Sequence, residues 1–207
     1  MKRCLIIFML LCVACGPPAG GRPVGTVEES TGPADTPVKM RHQIMVQYGD
    51  EVQVFEGYMI RGVDAFLVRA FAGPGVDLFT VARDGERHRE EAHISALEER
   101  LDLEAVSMDI ARAYFGGCER DGAKAECTLL GEPMIEEFDE RGRLVARRFP
   151  EAYGIGMRIA YEEYKDYLDG QAPWKIVLEW GEGKNRMVIK LLSVEAFDGS
   201  VDEVVGL

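Results

Sequence analysis

Residues 174–180 read Trp-Lys-Ile-Val-Leu-Glu-Trp, the clearest strand pattern in the chain. Each even-numbered position is large and apolar, whereas the odd-numbered positions are mixed. Successive side chains of a β-strand point to opposite faces, so this period of two predicts a strand with one face in the protein interior. The same alternation occurs at Met157, Ile159 and Tyr161. We therefore expect an interior that is built from strands.

Similar short runs, rich in β-branched and aromatic residues, recur between turn signals along the chain. The connections are mostly short and rich in glycine, such as Asp84-Gly85, which is typical of hairpins between antiparallel strands. The sequence therefore predicts a single sheet in up-and-down order. The predicted strands lie near 40–48, 51–61, 64–72, 76–83, 86–93, 124–129, 133–138, 143–149, 156–164, 174–181 and 186–194.

One segment in the middle of the chain has the period of a helix instead. Ser95 and Glu98 have the spacing of a capping box, and Gly116-Gly117 is a typical helix end. Between them, one helical stripe is formed by Leu103, Val106, Ile110 and Tyr114. We expect one helix here, broken near Asp102, whose apolar stripe covers the open side of the sheet.

Two of the predicted strands are apolar on both faces, at 65–71 and 187–192. A strand of this kind needs a cover on each side. A sheet that curls around an interior and carries a helix against it supplies both covers. The expected fold class is thus mainly β (α+β), a single antiparallel, curled, unclosed β-barrel with a helix packed over its open side.

Residues 1–14 have the layout of a lipoprotein signal peptide. Two cations precede an apolar run at 4–14, which is shorter than the roughly 20 residues that a membrane-spanning helix needs. Residues 11–16, Leu-Cys-Val-Ala-Cys-Gly, resemble the bacterial lipobox, whose cysteine is linked to diacylglycerol before cleavage. Cys15 is therefore the expected lipidation site. An ordinary secreted protein that is cut nearby is the alternative.

The lipobox resemblance also implies where the protein resides. It implies a covalent diacylglyceryl and acyl group, such as palmitate, on Cys15, and no other cofactor is expected. Gly16 stands where an aspartate retains lipoproteins in the inner membrane of many Gram-negative bacteria. The implied location is the cell envelope, at the periplasmic face of the outer membrane, with the anchor as the contact to the membrane.

The remainder of the chain is expected to hold one folded domain. Residues 15–38 are rich in glycine and proline and lack aromatic residues, which is typical of a flexible tether. The half-barrel domain is expected at 39–197, followed by a C-terminal tail at 198–207. A domain of this length can bury a sizeable core without a second domain.

The charge of the chain excludes some partners. The formal net charge is −12, and loss of Lys2 and Arg3 with the signal peptide would bring it to −14. An acidic surface argues against binding to nucleic acid. It also argues against electrostatic adhesion to anionic lipid, so that membrane attachment is expected through acyl chains.

Two cysteines remain in the predicted domain, Cys118 and Cys127. They flank Asp121-Gly122, a good turn signal, so the thiols could face each other across a hairpin in an oxidising compartment. A disulfide is therefore expected. The alternative is a metal site, for which two cysteines without a nearby histidine or further cysteine are a poor set.

The sequence contains none of the common motifs of an active site. G-x-S-x-G, P-loop and dinucleotide fingerprints are absent, so no catalytic residue is predicted and the protein is not expected to be an enzyme. His88 and His93 bracket two glutamates, but their spacing places them on opposite faces of a strand. A charged edge strand is expected there rather than a metal site. His42 is expected to be a satisfied or partly exposed imidazole.

Several motifs resemble the LolA/LolB-like lipoprotein-carrier superfamily over residues 40–196. These are the F-x-x-x-G-R-x-V turn at 138–145, the G-x-x-P-W-x-I-x-L strand at 170–178 and the GPGVDLFTVARDG hairpin at 73–85. The resemblance implies an unclosed antiparallel barrel with helices over its mouth and a hollow that takes acyl chains.

The resemblance adds a function to the apolar interior. It implies a lipoprotein whose half-barrel binds acyl chains of a lipid or lipoprotein and has a soluble periplasmic carrier as a partner. The alternative is a non-catalytic docking or structural lipoprotein with the same fold and a filled core, since such side chains usually form a packed core. The candidate cavity residues are Tyr58, Phe66, Met157, Ile159, Tyr161, Trp174, Ile176, Leu178 and Trp180.

Overall fold

The computed structural model covers most of the predicted domain. The signal peptide at 1–14, Cys15 and nearly all of the predicted tether lie outside the described residues. The structure describes residues 37–73, 75–85, 87–98, 101–120, 122–167, 170–181 and 183–206.

All eleven predicted strands are present in the structure. They are β1 (Val38–Tyr48), β2 (Glu51–Arg61), β3 (Ala65–Phe71), β4 (Asp77–Asp84), β5 (Arg87–Ala92), β6 (Lys124–Leu129), β7 (Glu132–Phe138), β8 (Leu144–Phe149), β9 (Met157–Tyr167), β10 (Gly170–Trp180) and β11 (Asn185–Ala196). They form one sheet in the order β5-β4-β3-β2-β1-β11-β10-β9-β8-β7-β6. Every pairing is antiparallel.

The pairing of β1 with β11 joins two halves of the sheet. In register, Ile44 lies opposite Ile189 on β11 and opposite Phe55 on β2. The two edges are β5 and β6, which the topology leaves unpaired with each other, so the barrel is unclosed. The edge strand β5 holds His88 and ends one residue before His93, and most of its side chains are charged, so the expectation of a charged edge strand is confirmed.

In the part of the chain that the structure describes, two helices lie between the edge strands β5 and β6, and a third follows β11. They are α1 (Ser95–Glu98), α2 (Leu103–Tyr114) and α3 (Val201–Val205), with a 3₁₀ turn at Ala152–Gly154. The predicted break near Asp102 is present, because the Asp102 carboxylate caps α2 by accepting a hydrogen bond from the Ala105 amide at 3.0 Å. Among the described segments, no helix is long and apolar enough to cross a bilayer.

Helix α2 lies inside the curl of the sheet. Its Ala113 belongs to a buried cluster with side chains of β6, β7, β8, β9, β10 and β11. Its Ala111, together with the following Phe115, belongs to a second cluster with side chains of β1, β2, β3, β4 and β11. Because both halves of the sheet contact one helix, the sheet wraps around it. The predicted fold class is confirmed.

The C-terminus differs from the prediction of a tail at 198–207. Residues Val201–Val205 form α3, and Val201 and Val205 are buried against Ile60 and Leu67 on the outer face of the sheet. This helix is the second cover that the doubly apolar strand β3 needs. The sequence carries its signal, since the Ser200 hydroxyl caps the helix by accepting from the Glu203 amide at 3.4 Å.

Candidate ligand-binding interior

The structure brings eight of the nine predicted cavity residues to the inner face of the sheet. Phe66 and Trp174 lie in the cluster around Phe115. The other six lie in the cluster around Ala113. These six are Met157, Ile159, Tyr161, Ile176, Leu178 and Trp180.

Tyr58 lies on the other face of the sheet. Met59, its neighbour in β2, belongs to the inner cluster, and strand alternation therefore directs Tyr58 outward. Its ring packs in the cluster of α3 and carries the Lys39 ammonium 5.6 Å from its centroid. Tyr58 thus does not line the interior.

The inner side chains pack closely against one another and against α2. Ile159 and Leu178 are 0% exposed, and Phe149 in the same cluster is equally buried. Protein interiors are packed as densely as organic crystals, so an acyl chain can enter this cluster only if α2 or the inner side chains move.

A surface cleft of about 470 Å³ opens at one end of the sheet. It is bounded by the turns after β8 and β10, and Met157 and Trp180 contribute to its lining as well as to the buried cluster. The exposed ring of Tyr48 meets Trp180 edge-on at a centroid distance of 5.8 Å. Two of the predicted cavity residues thus connect the core to this end of the sheet.

Arg147 fastens the C-terminal end of α2 to the sheet. Its guanidinium pairs with the Glu136 carboxylate at 2.9 Å and donates to the carbonyl oxygens of Arg112, Phe115 and Gly116 at 2.6–2.9 Å. Glu136 in turn accepts from the Cys118 amide at 2.9 Å. These contacts satisfy the carbonyl groups that every helix end leaves unpaired.

A second buried arginine ties α2 to β7. Arg112 pairs with Asp109 at 2.7 Å and binds both carboxylate oxygens of Glu132 at 2.8 Å. The Tyr153 hydroxyl donates to Asp109 at 2.7 Å. Burial raises the pKa of the Asp109 carboxyl, although the Tyr153 hydrogen bond and the Arg112 charge lower it. The helix is thus held at this end by fully paired charges.

His42 connects β1 to the same helix. Its Nε2 and the Tyr114 hydroxyl oxygen lie 3.0 Å apart, and the residue is 4% exposed. Burial lowers the pKa of the His42 imidazole to about 4, so the ring is neutral at physiological pH. The expectation of a satisfied imidazole is confirmed.

Two hydrogen-bond donors on the inner face lack acceptors. The Nε atom of Arg61 and the Nε1 atom of Trp174 are both buried without a hydrogen-bond partner among the described residues. Arg61 was not among the predicted site residues, because a cation in a strand is usually a surface residue. Its position in β2 could have indicated the inner face, since it lies two residues after the buried Met59 and strand side chains alternate between faces.

The predicted disulfide is present. Cys118 and Cys127 are bonded, with their Cα atoms 5.4 Å apart. The bond does not bridge a hairpin of two strands, because Cys118 lies in the irregular segment between α2 and β6. It therefore links the end of α2 to an edge of the sheet.

His88 of β5 and His93, which follows the strand, have separate partners. His93 Nε2 lies 2.9 Å from the Thr80 hydroxyl, and His88 Nε2 lies 3.9 Å from a Glu90 carboxylate oxygen. No group of three histidine, cysteine, aspartate or glutamate side chains in the described ranges is arranged to hold a metal ion.

No family model and no curated protein matches this chain in sequence. Solved structures share its fold, and two of them are the following. One is a LolA superfamily protein from Nitrosomonas europaea, with a TM-score of 0.58 and 15% identity over 83% of this chain and 90% of that chain. The other, from Vibrio parahaemolyticus, is described as a putative outer membrane lipoprotein-sorting protein domain, with a TM-score of 0.55 and 9% identity over 84% and 90% of the two chains. The resemblance inferred from the motifs is therefore confirmed in the fold, which is that of LolA superfamily structures.

Proposed function

We propose that this protein is a non-enzymatic lipoprotein, anchored at the periplasmic face of the outer membrane through Cys15, whose half-barrel binds acyl chains of a lipid or lipoprotein. A soluble periplasmic carrier is the partner that would deliver them. The fold shared with a lipoprotein-sorting domain supports the binding role. The lipobox-like residues 11–16 support the anchor.

The observation that carries the proposal is the apolar inner face with one short helix across it. Both inner clusters depend on α2 for their cover. Each methylene that leaves water contributes about 0.8 kcal/mol, so ten methylenes of an acyl chain contribute about 8 kcal/mol. That gain is the free energy that would compensate for the interactions α2 gives up if it shifts.

Native mass spectrometry tests the binding role. The whole mature chain carrying Cys15→Ala, which lacks only the anchor, is expected to retain lipid of bacterial origin and to show a mass above that of the polypeptide. Removal of the lipid by organic extraction and return of the protein to a lipid extract serves as the control. A protein that is always empty would contradict the proposal.

The anchor is tested separately. Cys15→Ala is expected to move the protein from the membrane fraction to the soluble fraction and to abolish labelling by a palmitate analogue. Cys12→Ala, which changes a neighbouring cysteine of the predicted signal peptide, is the matched control and is expected to keep both. Unchanged fractionation of Cys15→Ala would contradict the anchor.

A docking or structural lipoprotein with a filled core is the second candidate. It is favoured by the complete burial of Ile159 and Leu178 beneath α2. Such a protein would carry no lipid and would leave acyl probes unbound. The same mass spectra therefore separate the two candidates.

A further inference from the structure

Arg61 lies on the inner face of the sheet, and no ion pair joins its guanidinium to a carboxylate of the described residues. Its guanidinium lies over the Phe115 ring, 5.1 Å from the centroid, and Phe115 is itself a buried member of the inner cluster. Burial lowers the pKa of Arg61. The charged and polar groups that act on the guanidinium are Tyr114, Tyr161, Tyr167 and Arg147, with no carboxylate among them.

The other buried arginines of the helix site show what Arg61 lacks. Arg147 has Glu136 at 2.9 Å, and Arg112 has Asp109 at 2.7 Å and Glu132 at 2.8 Å. A charge taken out of water is costly unless it is paired and hydrogen-bonded. The Nε atom of Arg61 instead has no acceptor within the described part of the chain.

A second donor faces the same cluster. Trp174 is partly buried and packs against the inner cluster that contains Phe115, and its indole Nε1 is also buried without an acceptor in the described residues. Lys165 places a further positive charge 4.3 Å from the centroid of the Trp174 ring. The inner face therefore presents two buried donors without acceptors in the described residues, whereas the Lys165 side chain is exposed and its charge lies outside the interior.

We propose that Arg61 binds the oxyanion head of a single-chain lipid within the half-barrel. This head is the carboxylate of a free fatty acid or the phosphate of a single-chain phosphate monoester. The inference rests on the proposed acyl-binding function and names its ligand class. The guanidinium supplies charge-assisted hydrogen bonds to an oxyanion, and the Trp174 indole supplies a further donor on the same cluster. The acyl chain lies along the apolar inner face.

The test compares a fluorescent fatty acid, cis-parinaric acid, with its methyl ester at neutral pH. The ester keeps the chain and removes the charge. The whole mature chain with Cys15→Ala is used, alone and with Arg61→Met or Arg41→Met. Arg41 is the matched control because it is an exposed arginine, paired with Glu56, whose loss changes the net charge equally.

The acid is expected to bind the parent protein and Arg41→Met about tenfold or more tightly than the ester, as one charge-assisted hydrogen bond implies. Arg61→Met is expected to bind the acid and the ester with equal affinity. Its affinity for the ester is expected to equal that of the parent protein. Competition by palmitate and by hexadecyl phosphate then identifies the head group, since the tighter competitor has the favoured oxyanion.

Three outcomes overturn the inference. If the parent binds acid and ester equally, acyl binding stands and only the role of Arg61 fails. If Arg61→Met keeps the preference for the acid, the oxyanion is bound elsewhere. If neither probe binds, the proposed function fails together with the inference.

The stability of the unliganded protein distinguishes a binding arginine from a structural one. Replacing a partly buried arginine whose Nε has no acceptor by an apolar side chain of similar length is expected to leave the melting temperature unchanged or higher. A fall as large as that caused by Arg147→Met would assign Arg61 a structural role and would also overturn the inference.

Discussion

Arg147 donates to three carbonyl oxygens at the C-terminal end of α2. Replacing it by methionine removes the ion-pair partner of the buried Glu136 and leaves three carbonyl groups without their donor. We expect Arg147→Met to lower the free energy of unfolding by about 3–5 kcal/mol, measured by urea denaturation.

The adjacent residue provides the control for this prediction. Arg148 is 51% exposed in its side chain and pairs with Glu137 on the surface at 3.3 Å. Arg148→Met is expected to cost less than about 1 kcal/mol. Equal losses for Arg147→Met and Arg148→Met would show that α2 is not held by the buried arginine.

His42 makes stability depend on pH. In the folded protein the imidazole stays neutral down to a pKa of about 4, whereas in the unfolded chain it is protonated below about 6.5. The unfolded state thus binds the proton first, and stability falls as the pH decreases from about 6.5 to about 4. The expected loss from this group is about 3 kcal/mol.

Two variants isolate this effect in urea titrations at pH 7 and pH 4. His42→Gln removes the titrating group and is expected to flatten the pH dependence by that amount. Tyr114→Phe removes only the hydroxyl that meets the imidazole, so it is expected to lower stability but to keep the pH dependence. An unchanged pH dependence in His42→Gln would refute the assignment.

Residue identities at the site were predictable only in part. Strand alternation placed residues such as Ile159 and Leu178 on the inner face, because one face of their strands is uniformly apolar. It failed for Tyr58, because β2 has large apolar side chains on both faces near its end. The inner face also includes Gly57, which has no side chain to mark it as apolar. Arg61 was missed because charge indicates a surface residue unless strand parity is given more weight.

At the scale of elements, the N-terminus of α2 gives a direct test of the helix as a cover. Asp102→Ala removes the side-chain acceptor of the Ala105 amide and is expected to cost about 1 kcal/mol of unfolding free energy. Asp102→Asn keeps an oxygen in the same place and is expected to retain most of the stability. Indistinguishable urea midpoints for the two variants would show that the cap does not stabilise α2.

Strands were more predictable than the last helix. Each strand carries its own period of two and is bounded by turns, so local sequence is sufficient to locate it. Helix α3 is five residues long, and so short a helix is formed through its contact with the outer face rather than through its propensity. Its cap at Ser200 was visible, but the surface that it covers was not.

At the scale of the whole molecule, the fold could be predicted from the sequence. How closely α2 fills the space inside the sheet could not. The up-and-down order follows from short hairpin connections, and the two-faced strands imply covers on both sides. How tightly α2 fills the curl depends on side chains from both halves of the sheet, which meet Ala113 in one cluster and Ala111 in the other. No local pattern specifies that packing.

Entry of acyl chains into the half-barrel can be measured through the fluorescence of the two tryptophans. Both of them lie on the inner face. A fatty acid brominated along its chain quenches tryptophan fluorescence on contact. We expect saturable quenching of the mature Cys15→Ala chain, and of Trp174→Phe and Trp180→Phe made in it, each of which reports one remaining tryptophan. Emission that stays unchanged up to the solubility limit of the brominated acid would contradict the account.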